Sequence, residues 1–240
     1  MRFTVLTLFP DQVSSFLSES IIGRAVNSGI LEIECVDIRD FTDNKYGKVD
    51  DTLYGGGTGM LMACQPVFDA HKSIPGDPYT VFVSPKGHVF DQKKAIELSK
   101  RDNICILCGH YEGIDARVLD RIVDEEISIG DFVLTGGEIA AVTIIDAVSR
   151  MIPGVLPNEE AYTSESHMSG VLEAPQYTKP AEWEGMKVPQ VLLSGDQAKI
   201  DEHNRIASLV ETWSKRPDML DKLEISEDDW QKMLAYKKTL

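Results

Sequence analysis

Basic residues are scarce: 24 lysines and arginines face 39 aspartates and glutamates, a formal net charge of -15. That balance argues against bulk, non-specific binding of nucleic acid, which draws its affinity from neutralised phosphates. Local patches remain open, and Lys86, Lys93, Lys94, Lys100 and Arg101 crowd one stretch against only Asp91 and Glu97. A solvated helix face is the plainer reading of that stretch. Long apolar runs are also missing. The longest, 139–152, is too short to span a bilayer and contains Asp146 and Arg150. The start, MRFTVLTLFPDQ, has one basic residue and no extended apolar core before Pro10, so no signal peptide and a cytoplasmic location are expected.

Cysteine is sparse as well, and of the four only Cys105-Ile-Leu-Cys108 has metal-like or redox-like spacing. Its flanks, NICILCG, read as a buried strand, on which positions three apart point to opposite faces. No second pair or suitably placed histidine completes a site, since His110 sits one place too late for haem attachment. Buried, reduced thiols are expected, and no metal ligands.

Nucleotide-binding glycine motifs are absent in their usual form. VDDTLYGGGTGM (49–60) has no lysine after its glycines, as a phosphate loop would require. Gly55, Gly57 and Gly59 are also wrongly spaced for a dinucleotide fingerprint. There is no internal repeat and no low-complexity tract.

What is present is alternation. RFTVLTLF (2–9), 30–38, 80–85, 103–109 and 126–130 read as strands, and 11–29, 91–100, 115–123 and 139–152 as helices. The pattern predicts an α/β fold with a largely parallel sheet covered by helices on both faces. After Ile152 it breaks. Residues 153–180 are rich in Pro, Gly, Ser and acid, and helical patterns resume over 196–216 and 226–240. A first domain over 1–160, a flexible linker over 161–176 and a small, mostly helical domain over 177–240 are expected.

Three glycine-bearing segments fall at predicted strand ends: VSPKG (83–87), CGHYEGID (108–115) and SIGDFVLTGGE (128–138). Ligands of open α/β sheets bind beyond the carboxyl ends of strands, so the three could converge on one pocket. Few charges among them suggest recognition by backbone groups, which suits an adenine-bearing ligand.

At this point LTLFP (6–10), GRAV (23–26), RDFT (39–42), CGHYEGIDARV (108–118), IDAVSRMIPGVL (145–156) and PQYTKP (175–180) join these segments. Together they resemble the bacterial tRNA (guanine-N1)-methyltransferases, along essentially the whole chain. The resemblance implies the trefoil-knotted fold of the SPOUT methyltransferases, S-adenosylmethionine as methyl donor and tRNA as substrate. It also implies a homodimer with active sites at its interface. Magnesium is a candidate accessory ion.

Residue by residue, the resemblance assigns cofactor binding to Val83, Ser84 and Pro85; to Gly109, Tyr111 and Glu112; and to Ile129, Gly130, Phe132, Leu134, Gly136, Gly137 and Ala140. Phe132 and Ala140 depart from the tyrosine and proline common in relatives. Arg150 matches the catalytic arginine, while Glu165 stands where the family places an aspartate base, with Glu159 and Glu160 as weaker substitutes. Lys86, Arg117, Lys179, Arg205, Lys215 and Arg216 are candidate tRNA contacts. Two other readings stay open: a related knotted methyltransferase with another RNA target, and a non-catalytic RNA-binding dimer.

Overall fold

Strand β1 (Arg2–Thr7) is buried along almost its whole length because it lies inside a sheet covered on both faces. In the computed structural model, which describes residues 1–56, 59–157 and 165–238, five parallel strands form that sheet. Its order is β2 (Glu32–Asp37), β1, β6 (Asn103–Cys108), β5 (Tyr79–Val89) and β7 (Glu125–Ser128). Alternate side chains enter two separate cores. Phe3, Val5, Ile104 and Ile106 face one, while Leu6, Cys105 and Leu107 face the other.

The first core is covered by α1 (Pro10–Leu17), α2 (Ser20–Asn27), α4 (Gln92–Leu98) and α6 (Glu138–Ser149). The second is covered by α3 (Cys64–Lys72) and α5 (Ala116–Ile122). A small hairpin, β3 (Asp50–Thr52) with β4 (Met60–Met62), stands beside the latter. The single helix expected over 11–29 is two, because Ser20 takes a left-handed conformation (φ 59°) that breaks the hydrogen-bond ladder. β5 runs on to Val89, beyond the expected end at 85, and its pairing with β7 shifts register between Val83 and His88. That bulge accommodates Pro85, which has no N–H to give to a ladder.

The cysteine spacing has its answer in this sheet. Cys105 and Cys108 are fully buried in different cores, and burial pushes the Cys105 thiol up to about 12 and Cys108 well above its usual value. Neither forms thiolate near neutrality. Both are therefore expected to resist an aromatic disulfide reagent at pH 8 and to react only on unfolding. Because the unfolded thiols ionise near pH 9, stability should decline as pH rises above that value. Rapid native labelling of either residue, followed by mass spectrometry, would contradict this.

The contacts of the chain divide it into two compact units, Met1–Asn158 and Glu159–Leu240. The second unit holds a two-stranded hairpin, β8 (Glu182–Trp183) with β9 (Met186–Lys187), then α7 (Gln197–Lys215), α8 (Pro217–Leu220) and α9 (Glu227–Lys237). Ile206, Val210, Leu220 and Met233 form its core, with Trp213 edge-on to Trp230. The expected flexible linker is not free chain where it is described. Leu172 N–H donates to Thr212 Oγ1 at 2.9 Å, and Ser208 Oγ donates to the Leu172 carbonyl, pinning 165–176 to α7. Side-chain capping of backbone groups, which leaves no periodicity in sequence, accounts for the difference. No described helix is long and apolar enough to cross a membrane.

Candidate functional site

The carboxyl ends of β5, β6 and β7 open on one side of the first unit, and the segments leaving them bound a single cavity of about 310 Å³. That volume lies within the range of about 300–1,000 Å³ typical of small-molecule sites. Every residue expected at the cofactor lines it. Val83, Ser84 and Pro85 come from the bulge in β5; Gly109, Tyr111 and Glu112 from the turn after β6. Ile129, Gly130, Phe132, Leu134, Gly136, Gly137 and Ala140 come from the loop after β7 and the first turn of α6. Tyr111 sits at φ 58°, a strained conformation for a residue with a side chain, of the kind concentrated at functional sites.

The last two walls are tied together by backbone. Gly137 N–H donates to the Gly109 carbonyl at 3.1 Å, and His110 pairs with Gly136 as an antiparallel bridge. The space that a side chain at Gly136 or Gly137 would need is taken by protein. A Cβ on Gly137 would lie 2.6 Å from Val83 Cγ2 and 2.8 Å from Cys108 Cα, and one on Gly136 would overlap the His110 ring. These positions need glycine so that loop and sheet can meet.

Met60 and Met62 are tied to the turn after β6: Glu112 N–H donates to the Met60 carbonyl at 3.0 Å, and Met62 N–H to the Gly113 carbonyl at 2.9 Å. Gly59 lies against the Glu112 side chain. The exposed Tyr54 stands in the same 49–60 segment. Gly57 lies outside the described residues.

The expected catalytic pair is not at this cavity's wall. Arg150 caps the far end of α6, its N–H donating to the Asp146 carbonyl at 3.2 Å. Ten residues of helix separate it from Ala140, about 15 Å at the helical rise. Glu165 belongs to the second unit, where its carbonyl closes a turn by accepting from Met168 N–H. Glu159 and Glu160 lie outside the described residues.

The basic candidates divide. Lys86 lines the cavity. Arg117 is locked on Asp115 by two hydrogen bonds of 2.9 and 2.7 Å, and its guanidinium holds that carboxyl well below the usual range. Arg205 pairs with Glu202 and Asp229, Arg216 with Asp218, and Lys215 with Glu211. Lys179 precedes a cis proline, Pro180. For magnesium there is no support, since among the described residues no group of three or more His, Cys, Asp or Glu could hold a metal ion.

Sequence reasoning missed His110 as a wall residue and missed Glu138 entirely. Glu138 is 3% exposed, and both its oxygens lie 2.8 Å from His110 Nε2. One signal was available: an acid at the head of a helix whose first turn is otherwise apolar has to find partners inside.

A family model described as tRNA (Guanine-1)-methyltransferase TrmD matches residues 1–222. A tRNA (guanine-N(1)-)-methyltransferase of Ruminiclostridium cellulolyticum is 52% identical over 227 residues, 93% of this chain and 97% of the relative. Proteins of the same name from Clostridioides difficile and Anoxybacillus flavithermus are 49% and 47% identical. They cover 92% and 99% of this chain, and 98% and 99% of their own lengths. With a match that begins at β1 and reaches past α8, and with relatives aligned along nearly their full length, the chain belongs to the tRNA (guanine-1)-methyltransferase family.

Proposed function

We propose that this protein transfers a methyl group from S-adenosylmethionine to N1 of the guanine immediately 3′ of the anticodon in tRNA. The observation that carries the reading is the convergence of three glycine-bearing strand ends on one cavity, in a chain of this family. The cavity fits the donor's chemistry. Backbone N–H and C=O groups of 109–112 and 129–137 would hold the adenosine, and Phe132, Leu134 and Ile129 supply apolar cover. When bound, the donor supplies an electrophilic methyl group.

The chain's own residues must then activate the base. Guanine N1 carries a proton at neutral pH and becomes nucleophilic only as that proton leaves. Glu165 is the proposed acceptor for it. Negative charge then gathers on O6, where the Arg150 guanidinium is suited to stabilise it. Since Arg150 sits about 15 Å down α6 from the cavity, longer than an arginine reaches, the proposed active site takes its arginine from a second copy. The outer face of α6 supports such a homodimer: Ile139 is 50% exposed and Val142 only half-buried, beside an inner face fully packed. A trefoil knot is proposed with it. What supports it is that after the edge strand β7 the chain returns to the β6 turn, Gly137 N–H donating to the Gly109 carbonyl, and α6 packs on β6 and β1. The helical second unit is proposed to grip the tRNA.

The deciding experiment is tritiated methyl transfer to unmodified tRNA transcripts differing only at the guanine beside the anticodon. Transfer to the guanine form alone is expected; equal labelling of both would point to another RNA target. Because the chain is acidic and four of its six candidate basic contacts are already paired within the protein, binding must exchange ions. Affinity for tRNA should therefore fall steeply between low and moderate salt. A flat dependence in filter binding would count against the reading.

A further inference from the structure

LTLFP and RDFT belong to the family resemblance, yet none of their residues lines the cavity; the structure gives them a place directly behind it. Thr7, the last residue of β1, is fully buried and donates from Oγ1 to Glu138 Oε1 at 2.5 Å, while accepting from Phe9 N–H at 2.9 Å. Both Glu138 oxygens also face His110 Nε2 at 2.8 Å. The His110 ring packs on Phe9, with centroids 4.9 Å apart. Arg39 lies over the Phe9 ring, 5.2 Å from its centroid, and donates to the Leu8 carbonyl. One buried carboxylate thus joins the end of β1, the turn after β6 and the head of α6.

Two of the three joined elements, the turn after β6 and the head of α6, carry walls of the cavity. His110 stands between Gly109 and Tyr111, and Glu138 directly follows Gly137. We propose that Glu138 is a positioning residue: with Thr7 and His110 it forms a buried clamp that holds the 109–112 and 129–137 walls in register and so sets affinity for the cofactor. This rests on the cofactor reading above. The chemistry favours it over mere filling of space. A buried carboxylate is retained only where donors satisfy it, and those donors fix the positions of the elements that carry them. Gly136 lacks a side chain because the His110–Glu138 pair occupies that volume, so the loop's path is shaped around the clamp.

The test uses the full-length protein and S-adenosylhomocysteine as calorimetric probe. Glu138→Gln keeps the size of the side chain but removes one of its two acceptors; Thr7→Val removes the hydroxyl at constant shape. Each should weaken probe binding about tenfold, the loss of one charge-assisted hydrogen bond. The KM for S-adenosylmethionine should rise in step, with kcat and the KM for tRNA within about threefold of wild type. Thr7→Ser, which restores the hydroxyl, should restore binding. Hydrogen exchange in the amides of 129–137 should quicken in Glu138→Gln. Variants that bind the probe as wild type does would overturn the clamp alone, as would kcat and both KM values worsening together with the melting temperature. A wild-type protein that binds no probe would overturn the cofactor reading and the clamp with it.

Discussion

Glu165→Gln is expected to lower methyl transfer at least 100-fold while leaving cofactor binding intact, and Glu165→Asp to retain much of the activity. The amide keeps the shape of the side chain but cannot accept the N1 proton. Removing a general base typically costs on the order of 100- to 10,000-fold. The shorter acid keeps the chemistry and alters only reach, and aspartate is what the resemblance places at this position. Glu165 also sits on ordered chain: its carbonyl accepts from Met168 N–H, and Ser166 Oγ accepts from Glu173 N–H at 3.0 Å. A residue so anchored can be brought to one orientation, which a general base requires. Single-turnover methyl transfer with saturating cofactor isolates the step. Near-normal turnover in Glu165→Gln would move the base to another residue.

The parts of this protein legible in sequence are those written as periodicity. Five apolar strand runs and the helices between them give the α/β class, and glycine-rich strand ends mark the cavity because ligands of such sheets gather there. Strand order is not written that way: β1 pairs with both β2 and β6, a choice made by helix packing across distant segments. Nor is the pairing of Glu138 with His110, 28 residues apart, visible to any local pattern. Residues 165–176 look structureless because their order comes from single hydrogen bonds to α7. The substrate was legible only through resemblance. Composition pointed the other way, since a net charge of -15 disfavours nucleic acid.

Mixed dimers carry the other large effect. Gly137→Val and Arg150→Ala should each abolish activity as homodimers, for different reasons. At Gly137 a branched side chain collides with Val83 and with the Cys108 backbone, so the loop cannot close against the sheet and the cavity loses a wall. At Arg150 the cavity stays intact and the guanidinium is lost. If each active site combines one chain's cavity with the other chain's Arg150, a heterodimer of the two variants contains one doubly damaged site and one wild-type site. Two differently tagged chains, purified in tandem as heterodimers, should then recover about half of the wild-type rate per dimer. Random mixing, in which only half the dimers are mixed, should give about a quarter. Should Arg150 serve its own chain's cavity, every combination stays inactive, because neither site is whole. The 15 Å run of α6 between Ala140 and Arg150 argues for recovery, since a single chain cannot fold that helix short without breaking a buried face that includes Ala141, Ile144, Ile145 and Val148.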